Sequence, residues 1–359
     1  MIDRLFRYAY AQAKTRAMKS GLLDHDDWHY LLRMQSLNDF FSYLTATDYG
    51  PFLSNAATAG ADARSISLSL HDALFKDYIK LTRALPKSRS LVLYGLLSRY
   101  EAENVKTLLR GIWRASPDES IRSMLYRLGT LSRLPVAALL EARQVPVAVD
   151  LLKKTVFHAP LVHALVLFRT QDRLFPLEIA VDMAAFRLLA DRISGLRGID
   201  RKTAAGLAGV FTDGVNLSWL VRFRWIYGLS PEEIINYSLP GGHYITLHDI
   251  GNLARVSDLP AFLAALPHPY RSALEKVRQW RQVQLFFQTW LVAELYGLFR
   301  KDPFHIGLPL SYILLKEMEV KALEGLVSAI GAGESFDGVL QLWEGCWMRD
   351  AWNEKRETA

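Results

Sequence analysis

Apolar residues recur every three or four positions through most of this chain, the spacing that places them on one face of an α-helix. Leu81, Leu85, Leu91, Tyr94, Leu97 and Tyr100 follow it. So do Val181, Ala184, Ala185, Leu188 and Leu189, and again Leu310, Ile313, Leu314, Val320, Leu323 and Leu326. Strand-like runs are confined to 145–149 and 243–246, too short to build a sheet. The pattern predicts an almost all-α protein. The most apolar windows, 159–168 and 285–299, fall short of the ~20 apolar residues that a membrane-spanning helix needs. Both are expected to be buried core helices, and no transmembrane helix is expected. The start, Met1 to Arg7, reads as an amphipathic helix without the apolar core and small-residue cleavage site of a signal peptide.

One pattern occurs twice. Asn104 sits in a helix with Arg110 six residues on, before Ser116-Pro117-Asp118-Glu119; Asn216 and Arg222 stand in the same way before Ser230-Pro231-Glu232-Glu233. A fainter copy, with Gln12 in the Asn position, runs from Arg16 to Asp24-His25-Asp26-Asp27. Another starts at Glu319 and ends at Gly331-Ala332-Gly333-Glu334. Copies recurring about every 100 residues point to an assembly of similar helical lobes. Each reads as helix, short corner, capped helix. Asp24, Ser116 and Ser230 are suited to accept from the free amides of a helix's first turn. Pro117 and Pro231 occupy a place that needs no amide, and the acids after them suit the positive end of the helix dipole.

An asparagine in mid-helix competes for backbone bonds. Asn104 and Asn216 are therefore expected to bond another element, such as a neighbouring helix end, and Arg110 and Arg222 to pair with acids of an adjoining lobe. Lys19, Arg33, Arg114 and Arg224 lie at corners or exposed turns, where contact with a partner is expected.

Composition narrows the function. The net charge of +6 mildly favours an anionic partner or membrane surface but does not indicate nucleic acid. One cysteine, Cys346, excludes a disulfide framework and a cysteine metal cage. No phosphate-binding glycine loop and no nucleophile elbow is present, so no catalytic residue and no cofactor is expected. His25 and His29 could face one way on a helix and grip a metal, but the general-base position of a zinc hydrolase holds Asp26. His243 and His248 read as loop histidines, and Asp172, Glu178 and Asp182 as scattered acids. A protein-binding helical scaffold, and a metal-dependent hydrolase using His25 and His29, are the alternative readings.

At these same residues the chain resembles the C subunit of the V/A-type rotary ATPases and ATP synthases, the counterpart of the d subunit in eukaryotes. The resemblance rests on Tyr8-Ala9-Tyr10 through Arg16 to Leu23, on Thr45 to Tyr49, and on Tyr100 to Gly111. Asp213 to Arg222, Pro240-Gly241-Gly242 and Lys316 to Lys321 complete it. It is weakest at 56–66, and Ser116 follows Arg110 two residues sooner than Ser230 follows Arg222.

The resemblance implies a non-catalytic, funnel-like subunit of three helical lobes in pseudo-threefold arrangement. The lobes would be 1–100 completed by 319–359, then 101–212, then 213–318. It implies a place between the D and F axle subunits and the membrane proteolipid ring, peripheral to the membrane on its cytoplasmic face. Residues implied at partner or inter-lobe contacts are Arg16, Lys19, Asn104, Arg110, Arg114, Asn216, Arg222, Arg224, Lys316 and Glu319. The two chain ends are expected to pack together.

Overall fold

A computed structural model describes residues 2–53, 62–275 and 277–333. Cys346, the polar end 353–359 and residues 334–359 of the segment expected to complete the first lobe lie outside them. Among the described residues every regular element is helical and none is a strand. The chain opens with α1 (Ile2–Lys19), α2 (His25–Leu31), α3 (Leu37–Thr45) and α4 (Ala63–Ala84). There follow α5 (Lys87–Trp113), α6 (Asp118–Arg122), α7 (Val136–Glu141), α8 (Val145–Leu151), α9 (His158–Gln171) and α10 (Phe175–Ser194). Then come α11 (Gly198–Val221), α12 (Pro231–Asn236), α13 (Leu247–Leu253), α14 (Leu259–Ala265), α15 (Tyr270–Ala273), α16 (Trp280–Phe299) and α17 (Gly307–Ala332).

Contacts divide the chain into two compact units, 78–196 and the remainder. The first has its own core. Ala102, Val105, Leu108 and Leu109 of α5 meet Leu177, Val181 and Ala185 of α10, with Leu139, Val149 and Leu161 from the shorter helices. In the second unit α17 is the centre. Its residues are buried almost all the way round, and α1, α3, α11 and α16 pack on it. α1 thus lies against the last described helix. Between Gly198 and Ile226 the chain is long and apolar enough to cross a membrane by composition alone. Half of the 18-residue apolar window within it is buried, and the helix holds Asp200, Asp213 and Asn216 in protein hydrogen bonds, so it is a core helix.

The window 159–168 departs from expectation. Leu161 and Leu165 of α9 are buried, but Val162, Val166 and Leu167 are exposed. The helix carries apolar residues on two faces and buries only one. By contrast α16 packs on α11 and α17 and buries Val283, Phe287, Leu291, Val292 and Leu295, as a core helix does.

Candidate functional site: fastened helix corners and a buried charge cluster

The repeat is a fastening device. The Asn104 side chain donates to the Tyr126 carbonyl at 2.9 Å and accepts from the Tyr126 amide at 2.8 Å. Asn216 does the same to Leu239, at 2.8 Å in both directions. A side-chain amide carries one donor and one acceptor side by side, so it can satisfy both polar groups of a single residue. The clamped residues lie just beyond the short helices α6 and α12, so each clamp ties the return of its corner to the long helix it left. Neither Asn caps a helix end.

The corners themselves differ, which accounts for the unequal spacing. α5 ends at Trp113, and Ala115 takes the left-handed conformation (φ 51°). α11 instead continues into a π-helical turn, Arg222–Ile226, and Gly228 supplies the left-handed residue (φ 66°). The wider turn inserts a residue, and Leu229 adds another before Ser230. The caps differ too. Asp24 with Asp27 and Ser230 with Glu233 form reciprocal capping boxes. Ser116 does not cap. Pro117 occupies the cap position, and its ring offers no acceptor, so α6 is only 5 residues long.

The arginines divide. Arg110 reaches Glu178 of α10 at 2.5 Å, within its own unit rather than in another. Near it Lys106, buried, bridges Glu103 and Asp182, both at 2.8 Å. Glu178 and Asp182, read as scattered acids, are thus the partners of the repeat's cations. Burial pushes the Lys106 ammonium down, but the charges and hydrogen bonds of Asp182 and Glu103 outweigh it and hold the group above its ordinary value. Asp182 is also raised, chiefly by burial and with Glu103 and Glu178 beside it, against the pull of Lys106. Arg222 is exposed, as are Ile226 and Tyr227 after it. Arg114 is exposed beside Trp113, and Arg224 is half-buried.

The first corner is tied to the chain's other end. Gln12 donates to the His305 carbonyl at 3.1 Å and Arg16 to the Phe299 carbonyl at 3.2 Å. The Lys19 ammonium lies 5.0 Å from the Tyr296 ring centroid and 4.9 Å from that of Phe299. Glu319, fully buried, accepts from the Leu23 amide at 2.7 Å, the Tyr49 hydroxyl at 2.7 Å and the Lys316 ammonium at 2.9 Å. That ammonium sits 3.7 Å from the Tyr49 ring centroid. Tyr312 on the same helix donates to Asp77. Burial and the neighbouring Glu319 push the Tyr49 phenol well up, so it stays a donor.

Sequence reasoning missed Asp213. Its buried carboxylate accepts from the amides of His243 (3.0 Å), Tyr244 (2.9 Å) and Ile245 (3.3 Å) and from the Tyr270 hydroxyl (3.0 Å). A Cβ on Gly242 would lie 2.2 Å from that carboxylate, so only glycine lets the loop close over it. The signal was present as an isolated Pro-Gly-Gly and an acid inside an apolar helix.

The His25 and His29 rings stack with centroids 6.0 Å apart, and Asp27 is occupied by its capping box and the Tyr43 hydroxyl. Among the described residues no group of three or more His, Cys, Asp or Glu is placed to hold a metal. His243 and His248 are both exposed, the latter on the capped first turn of α13.

Residues 11–335 match the family model of the ATP synthase (C/AC39) subunit. The chain belongs to that family. Among similar proteins is the A-type ATP synthase C subunit of Thermococcus kodakarensis, 25% identical over 91% of this chain and 87% of the relative. The corresponding C subunit of Halorubrum lacusprofundi is 27% identical over 92% and 95%, and that of Methanocaldococcus jannaschii 23% over 91% and 84%. The protein is a non-catalytic subunit of a rotary ATPase, a multisubunit complex associated with a membrane.

Proposed function

We propose that this C/AC39 subunit is a rotor part that couples the D and F axle subunits to the membrane proteolipid ring and transmits torque between them. It sits peripherally, on the cytoplasmic face. Its three helical lobes, 1–100 completed by 319–359, 101–212 and 213–318, form a pseudo-threefold funnel whose socket takes the axle's tip. The observation that carries this reading is the repeated fastening of helix corners. A torque-bearing part must not yield locally, and each corner is locked by paired side-chain-to-backbone bonds or a buried ion pair. Close-packed interiors then pass strain on with little loss. Arg16, Lys19, Arg114, Arg222 and Arg224 stand at or near the corners and supply partner contacts there, while Asn104, Arg110, Asn216, Lys316 and Glu319 fasten.

Deletion of the subunit should abolish ATP-driven ion pumping by the complex while leaving nucleotide hydrolysis by its catalytic head. The subunit should also co-purify with the proteolipid ring. A deletion strain that pumps normally would overturn the assignment. Purification alone, with no membrane-associated fraction, would favour a scaffold that binds a soluble partner.

A further inference from the structure

Charge is unevenly divided between the two units. Of the chain's 43 Lys and Arg, 18 fall in 78–196, against only 10 of its 37 Asp and Glu, so that unit carries +8 and the rest of the chain −2. Six of the unit's ten acids, Glu103, Asp118, Glu119, Asp150, Glu178 and Asp182, each pair with a cation of the same unit. Four of the unit's exposed cations, Lys153, Lys154, Arg169 and Arg173, lie on α9 or directly flank it in the chain, and α9 leaves an apolar face uncovered. Val162 and Val166, 43% and 65% exposed, share a stripe one turn apart, with Leu167 beside them. Val147 and Leu151 on the preceding α8 are exposed at the same four-residue spacing. Lys153 and Lys154 are exposed in the turn between the two helices, and Arg169 continues the Val162–Val166 stripe, with Arg173 just beyond α9. Lys153 pairs with the exposed Asp150, and Asp172 ends α9; they are the two acids among 143–173, against five Lys and Arg.

From this juxtaposition we propose that the α8–α9 face of the basic unit is an interfacial contact for an anionic lipid surface. Its exposed valines and leucines enter the headgroup boundary, and its lysines and arginines hold acidic phospholipid headgroups. Apolar side chains ringed by Lys and Arg are the composition that seats a helix at a charged bilayer surface. A unit-wide charge of +8 suits an extended anionic plane. A single acidic peptide would need no more than the local cations. The inference is independent of the axle-and-ring reading, because its test contains neither partner.

The test is flotation of the purified full chain with vesicles of phosphatidylcholine alone and with vesicles of equal parts phosphatidylcholine and phosphatidylglycerol. Binding is expected only to the anionic vesicles and should fall with added salt. Replacing Lys153, Lys154, Arg169 and Arg173 by Gln should weaken it by about fivefold per charge, several hundredfold in all. Val162→Asp with Val166→Asp should weaken it at least about tenfold with the charges intact. These residues are exposed, so both variants should keep the wild-type helical circular dichroism, and each tests the proposal without the other. Equal binding to neutral vesicles, or variants that bind as the wild type does, would overturn it. So would indifference to the two aspartates, which leaves only unspecific attraction. Capture of an acidic amphipathic peptide with no flotation would assign the face to a protein partner and likewise overturn it.

Discussion

Asn104 and Asn216 make the same pair of bonds, yet the residues they hold differ in depth. Leu239 is buried and Tyr126 only half-buried. Removing either side chain strands one amide and one carbonyl, each costing about 1–3 kcal/mol where water cannot replace the partner. Asn216→Ala should therefore cost roughly 4 kcal/mol and Asn104→Ala roughly 2, read from urea denaturation. Equal losses below about 0.5 kcal/mol would mean that the clamps hold nothing. Glu319 presents a harder case. Its replacement by Gln leaves the Lys316 ammonium buried against the Tyr49 ring without its counter-charge, a loss of about 3–5 kcal/mol. Sequence reasoning found these positions because a polar residue inside an apolar helix demands a partner. It could not find the partner, because Tyr126 and Leu239 contribute only backbone, and backbone leaves no trace in residue type. Lys106 adds a pH signature. Its ammonium is held above the ordinary 10.5, so its contribution is complete below that pH and is lost as pH rises through the higher folded value. Stability curves of the wild type and of Lys106→Met/Asp182→Leu should keep a constant gap from neutrality to about pH 10 and draw together in stronger alkali. A gap that is unchanged there would show that the pair is not coupled to folding.

The elements show where periodicity informs and where it misleads. Three- and four-residue spacing located the long helices, since one buried face is enough to set it. In α9 the same spacing describes two faces at once, and only packing decides which of them is covered. The corner chemistry was readable in two copies out of three. At Ser116 a good cap residue stands one place too early, because Pro117 has the extended backbone of a cap and excludes its neighbour from that role. The two long helices end on left-handed residues, and here the copies make opposite predictions. Ala115 carries a Cβ into that conformation and Gly228 does not. Ala115→Gly should stabilise the protein by about 1 kcal/mol, and Gly228→Ala should destabilise it by about the same. Thermal melts would show it, and a destabilising Ala115→Gly would mean that the helix end is held by something other than backbone preference.

At the scale of the whole molecule, the chain's repeat and its division into units are different kinds of order. The repeat runs about every 100 residues, while contacts group α5 to α10 by themselves and leave both described ends of the chain in the other unit. Sequence similarity between corners reports how each was built. Contact reports what each one buries, and the apolar spacing of separate helices does not say which of them will share a core. The basic unit has the means to fold alone. A core cluster of its own runs from Ala102 to Ala185, its Asn104 clamp closes on Tyr126, and its Lys106 and Arg110 meet Glu103, Asp182 and Glu178, all inside 78–196. A domain with its own core and satisfied polar groups is a cooperative folding unit. A fragment 78–196 should therefore show a single urea transition by circular dichroism, and Asn104→Ala should lower its stability by the amount seen in the full chain, within about 0.5 kcal/mol. The remainder has no such independence, because α4 passes from one unit into the other at Asp77 and Tyr78. Cutting there removes the rest of the helix whose Asp77 holds Tyr312. A fragment without helical signal, or one whose response to Asn104→Ala differs from that of the full chain, would mean that the basic unit owes its fold to the other.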